Sequence, residues 1–451
     1  MELTQSKAEP RPRPARAARG YPVGRPNAPR SAGSSRLVVA HFVAATLYLL
    51  AGALGLVWIA PDIAHGMYLA PRVAGITHLF TLGWLTLTIL GALSQLLPMA
   101  LGAPLRSKRV AHLALWTLIP GVAVFAAGVT TATVSILVPG VVLVAGGVSI
   151  AVGHTAATLV RGRTRDVTWN AIAIGLGFLA ATLAFGLLLA VNLQTGFAAV
   201  GRVRILAAHI HVALIGWAFI IVVGASRRLM PTFLVAHTAD ARWSGRALAA
   251  FTLGVPLLAL GLVAANPVLS WSGATLLDLG MAAFLWQAWR FYRARTRARL
   301  DVGMRFALAG LPCFGAAAIL GSLLLALGAS HSRLATAYVV TGLLGGFVPF
   351  VTGIVYEIVP TLAWTARYAG RLSRGRIPTV AQMYSERLAM VQLAALACGV
   401  ALILAGIAAS TPRITRVGAL FFVTAVMILL YQMARMWWDN PSTPQSSPKP
   451  Q

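Results

Sequence analysis

Three histidines fall inside long apolar runs, where an ionisable or metal-binding side chain is costly. His78 lies in one run, and His209 and His211 lie two residues apart in another. Because such residues are rare in membrane segments unless they serve a site, they are candidate functional residues. Imidazole is the usual neutral protein ligand of haem iron and of copper. The three histidines are therefore predicted to bind haem iron or copper; the alternative is a set of hydrogen bonds between helices without a metal.

The spacing of these histidines predicts where they point. Each follows the start of its run by about two helical turns, as judged from Arg72 and Arg204, so all three are expected at one depth. Two residues along a helix rotate a side chain by about 200°, so His209 and His211 must face different neighbours. One helix can therefore serve two sites, and opposed helices of a bundle are where such cofactors are held.

The other metal-binding side chains are weaker candidates. His65 and His331 lie in or beside loops on the histidine side and could act as a ligand or contact haem propionates. Cys313 and Cys398 fall inside apolar runs, so neither a disulfide framework nor a thiolate metal site is expected. Four further histidines lie on the opposite side, where loop or interfacial roles are expected: His41, His112, His154 and His237.

The elements that must position these residues are membrane helices. Of the 451 residues, 58% are hydrophobic and 10% are charged, and the mean hydropathy is +0.78. An average soluble domain has about 25% charged residues. Crossing the hydrocarbon core as a helix takes about 20 apolar residues, and the sequence contains about twelve such runs. We predict an all-α polytopic membrane protein with about twelve transmembrane helices.

The net charge of +27 would suggest nucleic acid as a partner of a soluble protein, but its distribution indicates a membrane topology. Of the 37 Lys and Arg residues, 31 fall in the two tails and in alternate loops. The positive-inside rule then predicts that both termini lie in the cytoplasm. The expected location of the protein is the cell (inner) membrane. The lipid bilayer is the expected partner, and nucleic acid is not. The other loops hold six arginines: Arg72, Arg202, Arg204, Arg333, Arg413 and Arg416.

An internal repeat organises the helices. Its copies lie 133 and 129 residues apart, in runs two, six and ten, so the repeating unit is four helices. An even number of spans gives all copies one orientation, which predicts three pseudo-symmetric four-helix arcs related by rotation about the membrane normal. The repeated glycines are expected to allow close helix packing, and the prolines to end or kink each helix. The copies are His78-Gly83-Gly91-Pro98, His211-Gly216-Gly224-Pro231 and Val340-Gly345-Gly353-Pro360.

The arcs divide the chain into three parts of one membrane domain. They cover about residues 37–160, 168–292 and 304–437. Residues 1–36 are rich in Pro, Arg, Ala and Gly and are predicted to form a disordered basic cytoplasmic tail. Residues 438–451 are predicted to form a second disordered cytoplasmic tail.

A few other polar residues within the membrane could carry protons. The repeat register places Gln95, Arg228 and Glu357 at equivalent sites. An ion pair between Arg228 and Glu357 is the structural interpretation, and a proton path through Glu357 with Tyr356 is the functional one.

Asp278 lies near the middle of its apolar run and could relay protons or bridge to a neighbour such as Asn192. The sequence contains no CxxCH attachment site, so any haem is expected to be a non-covalent haem b.

Two segments carry a resemblance to a known family. THLFTLGWLTLTILGALSQLLP (Thr77–Pro98) and AHIHVALIGWAFIIVVGASRRLMP (Ala208–Pro231) resemble the haem–copper oxidase subunit I superfamily, including small NnrS-like, cbb3-type and nitric-oxide-reductase-like homologues. With twelve helices in three arcs, the likeness extends from about Leu37 to Arg435. It implies a haem-binding membrane redox protein involved in electron transfer or in handling O2 or NO.

The resemblance also implies ligands. In the superfamily the second helix supplies a haem ligand, which His78 matches, whereas the HxH pair expected in run ten lies here in run six, and the adjacent histidines of the copper site are absent. We therefore expect bis-histidine ligation of haem b by His78 and His211, with His209 facing a second haem or a copper ion.

Partners and activity follow from the same resemblance. It implies a cytochrome c or another redox subunit as partner and, if the chain is an enzyme, an oxidoreductase of the cytochrome c oxidase or nitric oxide reductase type. The alternative is a non-enzymatic membrane transporter or a metal or haem assembly factor on the same scaffold.

Overall fold

The predicted all-α membrane architecture is confirmed. In a computed structural model, the described part of the chain is helical and contains no strand. Twelve of its helices are long and apolar enough to cross a membrane. His237 and most of the two predicted tails lie outside the described residues. The described ranges are 32–197, 201–236, 240–328, 330–369 and 377–438.

The twelve membrane helices are numbered α1 to α12, and two short helices, Ala60–Ala64 and Val380–Met383, lie in the connections between them. The membrane helices are α1 Arg36–Trp58, α2 Pro71–Leu101, α3 Lys108–Thr131, α4 Val134–Leu159, α5 Val167–Thr195, α6 Arg202–Leu234, α7 Arg242–Ala264, α8 Pro267–Arg293, α9 Val302–Leu327, α10 Ser332–Tyr368, α11 Glu386–Ala408 and α12 Pro412–Trp437.

Each four-helix unit packs in the same way. The first helix of a unit lies against the second, and the third and fourth form a tightly packed antiparallel hairpin. Helix α4 packs on α5, α8 on α9 and α12 on α1, so the three units close into a ring. The second helices, α2, α6 and α10, form the inner ring. We call the end of the bundle at which they begin the histidine end, and the opposite end the basic end.

The repeated glycines let the first and second helices of each unit approach closely, as expected. A Cβ atom at Gly83 would lie 2.5 Å from the Tyr48 ring, and one at Gly224 would lie 2.3 Å from Ala171 Cβ. No real side chain fits at such distances, so glycine is needed at these crossings. Equally close approaches, all below 3.0 Å, occur at the remaining repeat glycines, Gly91, Gly216, Gly345 and Gly353.

The backbone of the inner ring repeats as well. Each inner helix changes from α-helical to π-helical hydrogen bonding one residue after the first repeat position, which is His78, His211 or Val340. Such π-helical turns are rare and occur often at functional sites. The sequence repeat is therefore also a structural repeat, and its irregular part begins at the level of the histidines. The π-helical segments are Leu79–Thr86, Val212–Phe219 and Thr341–Phe347.

Candidate functional site

A cavity of about 210 Å³ lies between α2 and α6 near the histidine end, and we call it cavity A. Helices α3, α4, α5 and α10 complete its walls. Most of the lining is apolar, from side chains such as Phe125, Val144 and Leu344. His78 and His209 are the two imidazoles in this lining. Cavity A is thus an apolar chamber in which two histidines from different helices meet.

His78 and His209 face each other across cavity A, with ring centroids 6.5 Å apart. The ring of His78 packs edge-on against Phe125, and its Nδ1 lies 2.7 Å from the carbonyl oxygen of Ala74. A carbonyl oxygen only accepts, so Nδ1 carries the hydrogen and Nε2 keeps a free lone pair. Nδ1 of His209 is buried and has no hydrogen-bond partner among the described residues. Nε2 of His78 is therefore available to a ligand, whereas Nδ1 of His209 is enclosed by protein, so a ligand of His209 would have to bind at its Nε2.

The spacing of these rings fits one metal ion between them. Histidine nitrogen binds a metal at about 2 Å, so two imidazoles on opposite sides of one ion have centroids about 6 Å apart. A bare ion would need further protein ligands, yet no group of three or more metal-binding side chains occurs within the described ranges. Haem iron takes four ligands from its porphyrin and needs only the two axial ones. The donor set therefore fits haem better than a bare ion.

His211 lies in a different cavity, between α6 and α10 and walled by α7, α8 and α9. This space, cavity B, has a volume of about 230 Å³. The predicted sharing of one haem by His78 and His211 is therefore wrong, because His209 is the residue that faces His78. The separation of His209 and His211 onto two sides of α6 was correct. The sequence does not fix the rotation of α6 about its axis, so it could not say which histidine faces which helix.

Cavity B contains two hydrogen-bonded pairs. The Tyr338 hydroxyl lies 3.2 Å from Nε2 of His211, the two rings stack at 5.8 Å, and Nδ1 of His211 lies 2.7 Å from Ala207 O. On the neighbouring helices α8 and α9, Ser322 donates to Asp278 across 2.6 Å. Asp278 was a sequence candidate, whereas Tyr338 and Ser322 were not.

The repeat register could have identified Tyr338, because it holds the position equivalent to His209. In cavity A, His78 occupies the first repeat position of α2. It faces His209, which lies two residues before the first repeat position of α6. In cavity B, His211 occupies the first repeat position of α6. It stacks on Tyr338, which lies two residues before the first repeat position of α10. The two ring pairs are therefore equivalent around the inner ring.

The candidate proton-path residues lie in three separate places. Tyr356 donates to Oε1 of Gln392 at 2.6 Å, between α10 and α11. Glu357 packs against Gly303 at the start of α9, near the basic end, and its Oε1 is buried without a hydrogen-bond partner in the described chain. Asp278 is in cavity B. The hydrogen bonds of the described residues do not join the three into one path.

The expected ion pair between Arg228 and Glu357 is wrong. Arg228 instead binds Asp166, the N-cap of α5, with 2.7 Å between Nη2 and Oδ2. Partial burial raises the pKa of Asp166, but the Trp169 backbone N–H and the Arg228 guanidinium together hold it below the usual range. The pair joins α5 to α6 at the basic end, because the carboxylate that caps α5 lies closer to Arg228 than α10 does.

The other histidines of the described ranges are not in the cavities. His65 and His331 are exposed, and in each the ring nitrogen Nδ1 lies within hydrogen-bonding distance of a nearby backbone carbonyl oxygen. Neither lines cavity A or cavity B. His41 is buried against Gly91, and His154 accepts a bond from the Ser107 backbone N–H at 3.4 Å. These contacts are structural.

Comparison with known proteins adds no assignment. No protein-family model matches the chain, and no curated protein matches it. The function therefore has to be inferred from the residues of the two cavities.

Proposed function

We propose that this chain is a membrane haem protein in which His78 and His209 hold a non-covalent haem b in cavity A. The observation that supports the proposal is the facing pair of imidazoles, 6.5 Å apart between centroids, in an otherwise apolar chamber. The pairing replaces the one expected from the sequence. The resemblance to haem–copper oxidase subunit I supports the same cofactor class.

Electron transfer is the role that this ligand set favours. When bound, haem supplies one-electron redox chemistry. His78 and His209 would hold the haem from two helices, and one-electron transfer is the chemistry that it would supply there, so we do not propose reaction with O2 or NO. The bond from His78 to Ala74 fixes the orientation of that ring, and the mostly apolar lining suits the porphyrin face of haem. A second haem or copper ion is also not proposed, because Tyr338 occupies Nε2 of His211.

The location and partner belong to the proposal as well. The distribution of Lys and Arg favours the cell (inner) membrane, with both termini in the cytoplasm and the histidine end outside. The electron donor or acceptor would then be a cytochrome c or another redox subunit that reaches the histidine end.

The test is the haem content of the purified full-length protein. The pyridine haemochrome assay and reduced-minus-oxidised spectra are expected to show one haem b per chain. His78→Ala and His209→Ala are expected to lose it. His211→Ala is the matched control: it removes an imidazole at the same level of the same helix but from cavity B, and the spectrum is expected to persist.

Two outcomes would contradict the proposal. One is a wild-type protein without haem after expression with sufficient haem supply. The other is a spectrum that survives in both cavity A variants. Loss in His211→Ala with retention in His209→Ala would instead restore the pairing expected from the sequence. A transporter or assembly factor, the alternative on this scaffold, predicts no stoichiometric redox-active haem.

A further inference from the structure

Cavity B contains a carboxyl group that forms no ion pair with any residue that the structure describes. Asp278 is the twelfth of the 27 residues of α8, about 17 Å from the start of the helix. Its polar contact is the Ser322 hydroxyl. Within the described chain, Glu357 is the other acidic residue without an ion pair. A carboxyl group such as that of Asp278, in the middle of a membrane helix, is a candidate functional site because burying it there is costly. The paired acidic residues are Asp62, Asp166, Asp240, Asp301 and Glu386.

The hydrogen-bond inventory of cavity B leaves acceptors and no donors. Nδ1 of neutral His211 donates to Ala207, so Nε2 accepts and the Tyr338 hydroxyl hydrogen is used there. The Ser322 hydrogen is used by Asp278. The free valences are lone pairs on the oxygens of Tyr338, Ser322 and Asp278. A ligand that satisfies these oxygens must therefore bring hydrogen-bond donors, and a positive charge on it would pair with the carboxylate form of Asp278.

These acceptors lie close together. Tyr338 packs over Gly321, where an added Cβ would lie 3.2 Å from its ring. Gly321 directly precedes Ser322, which holds Asp278. The three oxygens thus form one polar patch on the wall of cavity B, contributed by α8, α9 and α10.

The deeper part of cavity B is aromatic. Phe219 lies eight residues beyond His211 on α6, about 12 Å further toward the basic end. Around its ring lie those of Phe251, Phe314 and Phe347, with centroids 5.2, 4.8 and 6.1 Å away. All four side chains line the cavity. Aromatic faces accept apolar groups and also attract organic cations.

We propose that cavity B binds a protonated amine with an apolar body, a small organic ammonium ion. Its N–H groups would donate to Asp278, Tyr338 and Ser322, its charge would pair with the Asp278 carboxylate, and its body would lie on the phenylalanine rings. The site is separate from cavity A and does not depend on haem there.

The test is isothermal titration calorimetry of the purified full-length protein with benzylammonium. Benzyl alcohol serves as the uncharged analogue, and trimethylbenzylammonium as a cation without N–H donors. We expect one benzylammonium per chain, bound more tightly than trimethylbenzylammonium, and benzyl alcohol bound most weakly. Asp278→Asn is expected to weaken benzylammonium binding at least tenfold, whereas Glu357→Gln, which removes the other unpaired carboxyl group, is expected to leave it unchanged.

Three results would overturn the proposal: no saturable benzylammonium binding, equal binding by Asp278→Asn, or equal affinity for benzyl alcohol. The last would indicate a site for apolar molecules or detergent only. If Asp278→Asn does not yield folded protein, Ser322→Ala and Tyr338→Phe carry the test, each with an expected loss of two- to fivefold. His78→Ala is expected to retain the affinity, which separates this proposal from the haem proposal.

Discussion

Cavities A and B share α6 as a wall and lie at the same level, yet they carry different chemistry. In cavity A the equivalent ring pair is His78 with His209, and Nε2 of His78 keeps a free lone pair. In cavity B the pair is His211 with Tyr338, and the hydroxyl occupies the imidazole nitrogen. A change from histidine to tyrosine at equivalent positions thus separates a pair of facing imidazoles from a hydrogen-bonded pair of rings.

The third pair of neighbouring helices in the inner ring is α10 and α2. The equivalent positions there are Val340 on α10 and Ile76 on α2, both buried and apolar. Both side chains line cavity A, so these two positions add apolar wall and no imidazole to it. The three pairs of neighbouring inner helices therefore carry two imidazoles, one imidazole and none at these positions.

The largest effect is expected from a substitution that gives cavity B a facing pair of imidazoles like the pair in cavity A. Tyr338→His places a second imidazole opposite His211, where the present ring centroids are 5.8 Å apart, and removes the hydroxyl from Nε2. We expect haem b to rise from one toward two per chain, measured as pyridine haemochrome per mole of protein. Tyr338→Phe removes the hydroxyl without adding a ligand and is expected to stay at one.

An unchanged haem content in a folded Tyr338→His protein would show that two imidazoles at these equivalent positions are not enough to bind haem. The shape of the cavity would then determine which cavity binds it. Adding His211→Ala to Tyr338→His should return the content to one. That double variant distinguishes a second haem in cavity B from altered occupancy of cavity A.

A smaller effect is expected from disturbing the wall that the cavities share. In Gly224→Leu the new side chain meets Ala171 Cβ, which is 2.3 Å from an added Cβ, so α6 must shift away from α5. Overpacking of this kind costs about 1 to 3 kcal/mol. We expect a lower thermal midpoint in detergent and weaker ligand binding in both cavities.

The matched control is Gly177→Leu on α5, where no atom lies within 4 Å of an added Cβ. Its thermal midpoint is expected to equal or exceed that of the wild type, because leucine favours helix over glycine. Equal destabilisation by both substitutions would mean that loss of glycine itself, rather than the crossing of α5 and α6, is responsible.

Most of the architecture followed from the sequence, because membrane helices are specified by length and hydropathy. The repeat glycines predicted close packing, and Gly83 and Gly224 show it. The depth of His78 and His209 also followed, since helical rise is fixed. All of these depend on distances along one helix.

Contacts between side chains on different helices were harder to predict from the sequence. The partner of His78 depends on the rotation of α6, and the partner of Arg228 depends on where the loop before α5 places Asp166. Neither is encoded in the spacing within a run. Tyr338 was missed although the repeat register gives its equivalence to His209, because a search for ligands passes over a tyrosine.

The smallest expected effect concerns the anchor of α6 at the basic end. Asp166→Asn keeps an N-cap for α5 but removes the charge that binds Arg228. The pair is partly exposed to solvent, so we expect a loss of only about 0.5 to 1 kcal/mol at neutral pH. A double-mutant cycle with Arg228→Gln measures the coupling of the two side chains.

The pH dependence of this loss tests its cause. The folded protein holds the pKa of Asp166 below the usual value, so its carboxylate contributes stability above the unfolded pKa of about 4. That contribution is lost as the pH falls through the lower, folded pKa. The difference in thermal midpoint between wild type and Asp166→Asn should therefore be full at pH 7 and should vanish in acid. A difference that stays constant down to pH 3 would show that the charge of Asp166 is not its cause. In that case Arg228 would contribute nothing to fixing α6, and the rotation that sends His209 to cavity A and His211 to cavity B would rest on the glycine crossings alone.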